Sequence, residues 1–153
     1  MSVVQGISHV ALVTADLDRF TTFYCDMFGA ELVAIDHAPF GRVGIIRLGA
    51  GTAINAFEID GSHQASGLPA MFDRGHLDHF GIHVTDDDAF WQLCERLVAG
   101  GHSTGEVTTF GPVIGLTFTD PDGMSCEINL VLDPSLSGAH GPEPYERTAA
   151  TAC

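Results

Sequence analysis

Residues 8 to 20, SHVALVTADLDRF, are echoed at residues 78 to 90, DHFGIHVTDDDAF, and this echo restricts the fold more than any other feature of the chain. The offset that carries His9 onto His79 also carries Ala11, Leu12 and Phe20 onto Gly81, Ile82 and Phe90. Spacing of this length fits a duplicated folding unit rather than a short solenoid repeat.

Each copy opens on an alternating run that reads as a strand and then offers short oxygen-bearing side chains, Thr14 to Asp16 and Thr85 to Asp88, where a helix can start. Leu17, Phe20, Phe23, Tyr24, Met27 and Phe28 then recur at helical spacing, as do Phe90, Leu93, Cys94, Leu97 and Val98. Gly29 and Gly100-Gly101 supply left-handed caps. Three strand-like runs follow in each copy: ELVAI, VGIIRL and TAINAFEI in the first, STGEV, IGLTF and SCEINLV in the second. Glycines in GAG (49 to 51) and the DPDG turn (120 to 123) separate the last two strands of each copy.

The expected fold class is therefore α+β, with two βαβββ modules at about residues 5–60 and 76–132 building a mainly mixed or antiparallel sheet within one domain, residues 1–132. Residues 60 to 78, rich in glycine, form the link, and residues 133–153, rich in Pro, Gly and Ala without periodicity, read as a flexible C-terminal tail.

Composition narrows the function classes. Twenty acidic against six basic residues give a net charge of −14, which repels phosphate backbones and anionic membranes, so nucleic acid and membrane partners are excluded as expectations. The start MSVVQGISHV lacks the basic region and long apolar block of a signal peptide, and no apolar run is long enough to span a bilayer, so a cytoplasmic protein is expected. Four scattered cysteines with no C-x-x-C pair suggest neither a disulfide framework nor a structural zinc site.

His9 and His79 hold matched places in the two copies, and alternation puts each on the strand face opposite its module's helix. In CEINL, Cys126, Ile128 and Leu130 form the helix-facing set, leaving Glu127 and Asn129 on the other face, where a carboxylate must be paired, metal-bound or wet. Two imidazoles and a carboxylate make a facial triad for Fe, Ni, Mn, Co or Zn as a divalent ion, with positions left for substrate oxygens. The competing reading makes both histidines strand-end residues hydrogen-bonded to backbone. His37, His63, His102 and His140 fall in loop-like or tail sequence and are expected to be exposed, whereas His76 and His83 could line the mouth of the site.

The runs HVALVTADLDRFTTFYCDMFGAEL, DHFGIHV and DPDGMSCEINL together resemble the vicinal oxygen chelate superfamily of glyoxalases, bleomycin resistance proteins and extradiol dioxygenases, over residues 5 to 132. That resemblance implies paired βαβββ modules forming a cupped mixed sheet around a single divalent metal, with His9, His79 and Glu127 as ligands and Glu127 also in a catalytic role. The fourth ligand position falls in TAINAFEID, where Asn55 has the pocket parity and Glu58 has the better ligand chemistry but shares its face with Ile54 and Ala56. Phe57, Phe118 and His83 are the expected substrate-pocket residues.

The resemblance also implies a small-molecule substrate with vicinal oxygens, a lyase or isomerase reaction, and a homodimer. A glyoxalase acting on a glutathione adduct would need an arginine where Val13 stands. An Fe(II) extradiol-type dioxygenase fits the ligand set, yet its tyrosine falls on Thr117 and its histidine is missing from Thr108 to Phe110. A third reading is a non-catalytic protein that sequesters an antibiotic-like small molecule in a cup lined by Phe57, Phe80, Phe110 and Phe118.

Overall fold

Both repeats fold by the same logic of alternation followed by a capped amphipathic helix. The structure is a computed structural model that describes residues 3, 6–62, 77–136 and 141–147. Its element order is β1 (His9–Thr14), α1 (Leu17–Phe28), β2 (Glu31–Ala38), β3 (Gly41–Arg47) and β4 (Ala53–Ile59), then β5 (Phe80–His83), α2 (Asp87–Ala99), β6 (Val107–Thr109), β7 (Val113–Thr119), β8 (Ser125–Val131) and β9 (Glu143–Pro144). The strands form two mixed sheets, ordered β1-β4-β3-β2 and β5-β8-β7-β6-β9. In each, the opening strand pairs in parallel with the last strand of its module, and the other pairings are antiparallel.

The chain divides into two compact units, one of Met1–Leu68 with Pro121–Gly123, the other of Pro69–Asp120 with Met124–Cys153.

In the first unit, Asp16 caps α1 by accepting from the amide of Arg19, and Gly29 ends it in the left-handed conformation. Leu17, Phe20 and Tyr24 are fully buried against the sheet face carrying Ile46, Ile54 and Ala56. Burial of side chains this size contributes roughly 1.5–3 kcal/mol each. The helix sits low over β3 because Gly44 leaves room; a Cβ there would stand 3.0 Å from Leu17 Cδ1.

In the second unit, Asp86 caps α2 through the amide of Ala89. Phe90, Cys94 and Leu97 are buried, and Ile114, Leu116, Phe118, Cys126, Ile128 and Leu130 form the apolar face of β7 and β8. Val98, expected on the buried stripe, is 43 % exposed, and the left-handed glycine is Gly101 rather than Gly100. Burial pushes the Cys94 thiol up to about 11, so it packs as an inert neutral group.

Two expectations are corrected. The strand anticipated in STGEV begins only at Val107, because Ser103 uses its side chain, bonding the Thr117 carbonyl at 2.6 Å, instead of a backbone ladder. The tail is not uniformly loose: β9 pairs with β6, and the Tyr145 amide donates to the Val107 carbonyl at 2.9 Å. Tyr145 stacks on Trp91 at 6.5 Å, and Arg147 lies 5.4 Å over the same indole while pairing with Asp87 and Asp88. A bared strand edge with unpaired backbone groups rewards any segment able to cover it.

Candidate metal centre

Strand register decides which side chains share a face, and it does so within each unit. In the first, His9 pairs with Ala53 and Ala11 with Asn55, so His9, Ala11, Val13, Asn55 and Phe57 share the face opposite α1. Val43 and Ile45 of β3 join them by pairing with Phe57 and Asn55. Phe57 contacts Phe40 at 6.2 Å.

Glu58 belongs to the other face, in register with Thr14 and Arg42. Its carboxylate accepts from Arg42 Nε and Nη2 at 3.1 and 2.8 Å and from the Leu17 amide at 2.7 Å. Arg42 first, and the Leu17 amide second, hold that carboxyl below its ordinary range. Glu58 thus fastens the start of α1 to the sheet and faces away from His9. Asn55 is the polar residue of this strand that shares the histidine's face.

In the second unit, Gly81 pairs with Glu127 and His83 with Asn129. His79 precedes β5 by one residue, and the strand's alternation carried back from Gly81 would put it on the face of Glu127, Asn129 and His83. Across β7, Thr117 pairs with Glu127 and Gly115 with Asn129. His83 and Thr117 are exposed, while His79, Glu127 and Asn129 are half-buried. Phe118, expected in the pocket, is corrected: it pairs with Cys126, is 1 % exposed and belongs to the α2 side of the sheet. Phe80, register partner of Cys126, is on that side too.

A partner for His79 escaped the sequence reading. Its Nδ1 lies 2.7 Å from Asp78 Oδ2. An ionised carboxylate can only accept, so Nδ1 is the donor in this pair, and in the neutral ring Nε2 is the nitrogen left with a lone pair. A carboxylate holding the far nitrogen of an imidazole is the usual support of a metal-ligating histidine. His9 Nδ1 has a weaker counterpart in Ser8 Oγ at 3.1 Å. The only cue in the sequence was adjacency, since both histidines follow an oxygen-bearing residue.

Imidazole nitrogen, carboxylate and amide oxygen form a donor set that suits a borderline divalent ion, so the chemistry of these residues fits the implied metal. Among the described residues, no three His, Cys, Asp or Glu side chains are already gathered as a cluster. His9 and Asn55 share one face in the first unit, and His83, Glu127 and Asn129 share one in the second, with His79 at the entry to that unit's opening strand.

Other histidines and four of the arginines have places of their own. His102 Nδ1 lies 2.9 Å from the Thr119 carbonyl, and His37 is exposed. His63, His76, His140 and Arg74 lie outside the described residues. Arg19 pairs with Asp122, Arg42 with Asp18 and Glu58, Arg47 with Glu31, and Arg147 with Asp87 and Asp88.

Comparison with known proteins agrees with this architecture. The family model of the Glyoxalase/Bleomycin resistance protein/Dioxygenase superfamily matches residues 6–128. A 2-epi-5-epi-valiolone epimerase from Actinomyces sp. is 31 % identical, with 80 % of this chain and 78 % of that protein covered. A glyoxylase/bleomycin resistance protein/dioxygenase domain from Frankia sp. EAN1pec superposes with a TM-score of 0.72 at 27 % identity, covering 84 % of this chain and 93 % of that one. A fosfomycin resistance protein from Listeria monocytogenes, solved with Mn(II), shares the fold at a TM-score of 0.62 and 21 % identity, covering 84 % and 93 % of the respective chains. The chain carrying the repeated histidine strand therefore belongs to the glyoxalase/bleomycin resistance protein/dioxygenase superfamily.

Proposed function

We propose that this chain is a metal-dependent enzyme of the isomerase type that epimerises a small, uncharged molecule bearing vicinal oxygens, with His9, His79 and Glu127 as ligands and Asn55 as a weak fourth. The observation that carries this reading is the Asp78–His79 hydrogen bond, which presets the imidazole for ligation through Nε2. When bound, a divalent ion supplies a Lewis acid that holds two neighbouring substrate oxygens and stabilises negative charge developing on them.

The chain's own residues do the rest. Epimerisation next to a carbonyl removes a proton from one face of carbon and returns one to the other. Glu127, half-buried on the open sheet face, is the carboxylate placed there to take or return it, and exposed His83 on the same face is the second group able to exchange protons. Phe57, Val43 and Ile45 offer an apolar floor on the His9 face. Among the described residues, Arg19, Arg42, Arg47 and Arg147 are paired with the chain's own carboxylates, which disfavours an anionic substrate. The relative's substrate, a valiolone, is the first candidate.

The test is solvent isotope exchange. In deuterated water, the metal-loaded protein should wash deuterium into 2-epi-5-epi-valiolone and yield a diastereomer, followed by NMR, and prior treatment with a chelator should abolish both. Tight binding of the ketone with no exchange under any metal would refute the enzyme reading and favour sequestration.

A further inference from the structure

We infer that Asn129 is a positioning residue for Glu127, holding that carboxylate in its ligating orientation from a seat that two glycines create. This rests on the proposed metal reading. Asn129 is in β8, two residues beyond Glu127 and on the same face. Its register partners on the flanking strands are His83 in β5 and Gly115 in β7, and the partner of Glu127 itself in β5 is Gly81.

The two glycines explain where the amide lies. A Cβ on Gly81 would stand 2.5 Å from Asn129 Nδ2, and a Cβ on Gly115 would stand 2.9 Å from Asn129 Oδ1. Real Cβ atoms do not approach that closely, so the side-chain amide spans the sheet, its oxygen over β7 and its nitrogen over β5. Glycine inside a strand weakens the strand, and it marks a place where another group comes close to the backbone. Here two adjacent strands each leave out a side chain beneath one amide.

The orientation of that amide has a chemical consequence. Nδ2 donates toward Glu127 Oε2 at 3.5 Å, a long bond that by itself does little. The space left by the two glycines lets the amide lie across the strands with its nitrogen toward Glu127. It engages Oε2, leaving Oε1 as the carboxylate oxygen for a metal or a proton. Asn129 thereby acts through Glu127, as partners behind a ligand do.

The experiment compares the full-length wild type with Asn129→Leu, which keeps bulk and removes both polar atoms, and Gly81→Ala, which crowds the amide nitrogen without touching Asn129 itself. Mn(II) and Zn(II) affinities are measured by competition with a chelating dye, and the Asn129 side-chain amide is followed by 15N–1H NMR in the metal-free and metal-loaded wild type. Both variants should stay folded by thermal melting and bind metal about tenfold more weakly. The amide resonance should shift on Glu127→Ala and again when metal is added. Wild-type affinity in folded Asn129→Leu, or an amide indifferent to Glu127→Ala, overturns this inference alone. A wild-type protein that takes up no metal overturns the metal reading and this inference together.

Discussion

At the scale of single residues, the side chains behind the candidate ligands are the ones that mutation can expose. Asp78→Ala removes the carboxylate that fixes the His79 tautomer, 2.7 Å away. Metal affinity, read by dye competition, should fall about 10- to 100-fold while the melting temperature barely moves. Glu58 makes the opposite kind of prediction, on stability and pH. Its carboxyl is held below its ordinary 4.5 by Arg42 and the Leu17 amide, so the folded state binds its proton less readily than the unfolded chain does. The stabilisation is complete above the unfolded value and drains away as pH falls through it toward the lowered folded value. The gap in unfolding free energy between wild type and Glu58→Gln should therefore be constant above about pH 5.5 and shrink at lower pH, measured by urea melts. A gap that does not change down to pH 3 would contradict the pairing.

The faces of Asn55, Glu127 and His83 were readable from alternation, because parity within a strand survives any choice of register. Phe118 shows how that same signal can be overlooked: Ile114, Leu116 and Phe118 alternate within β7, which already assigned Phe118 to the core. Asp78 and Asn129 could not be found by parity alone, since their roles depend on a side-chain hydrogen bond and on two glycines brought together by pairing between strands.

At the scale of elements, helices and long strands followed their periodic patterns, and the departures are at short, irregular pieces. Asp16 and Asp86 each accept a main-chain amide at the start of a helix. Replacing either by Ala should cost about 1 kcal/mol in chemical denaturation. The two-residue β9 is too short to carry any alternation, which is why residues 143–144 read as tail. Its docking has a built-in reporter, because Trp91 is the sole tryptophan and is stacked between Tyr145 and Arg147. Deleting residues 141–153 should move tryptophan emission to longer wavelength and increase aggregation by baring the β6 edge. Unchanged emission would mean that the segment does not rest on α2 in solution.

At the scale of the whole molecule, the duplication visible in the sequence became two sheets of the same βαβββ order, with His9 opening the first and His79 immediately before the second. No helix among the described residues is long and apolar enough to cross a membrane. What duplication cannot convey is chemistry: the two copies differ where it matters, with Asn55 in one and Glu127 in the other. The proposed function requires that these strands supply one metal centre, and elemental analysis of the untagged protein decides whether they do. After chelator treatment and reloading with Mn(II), Fe(II), Ni(II), Co(II) or Zn(II), wild type should retain about one equivalent per chain of at least one of these metals, and His79→Ala should retain far less. Equal metal content in the two proteins, or none in wild type with any of the five ions, would contradict the account.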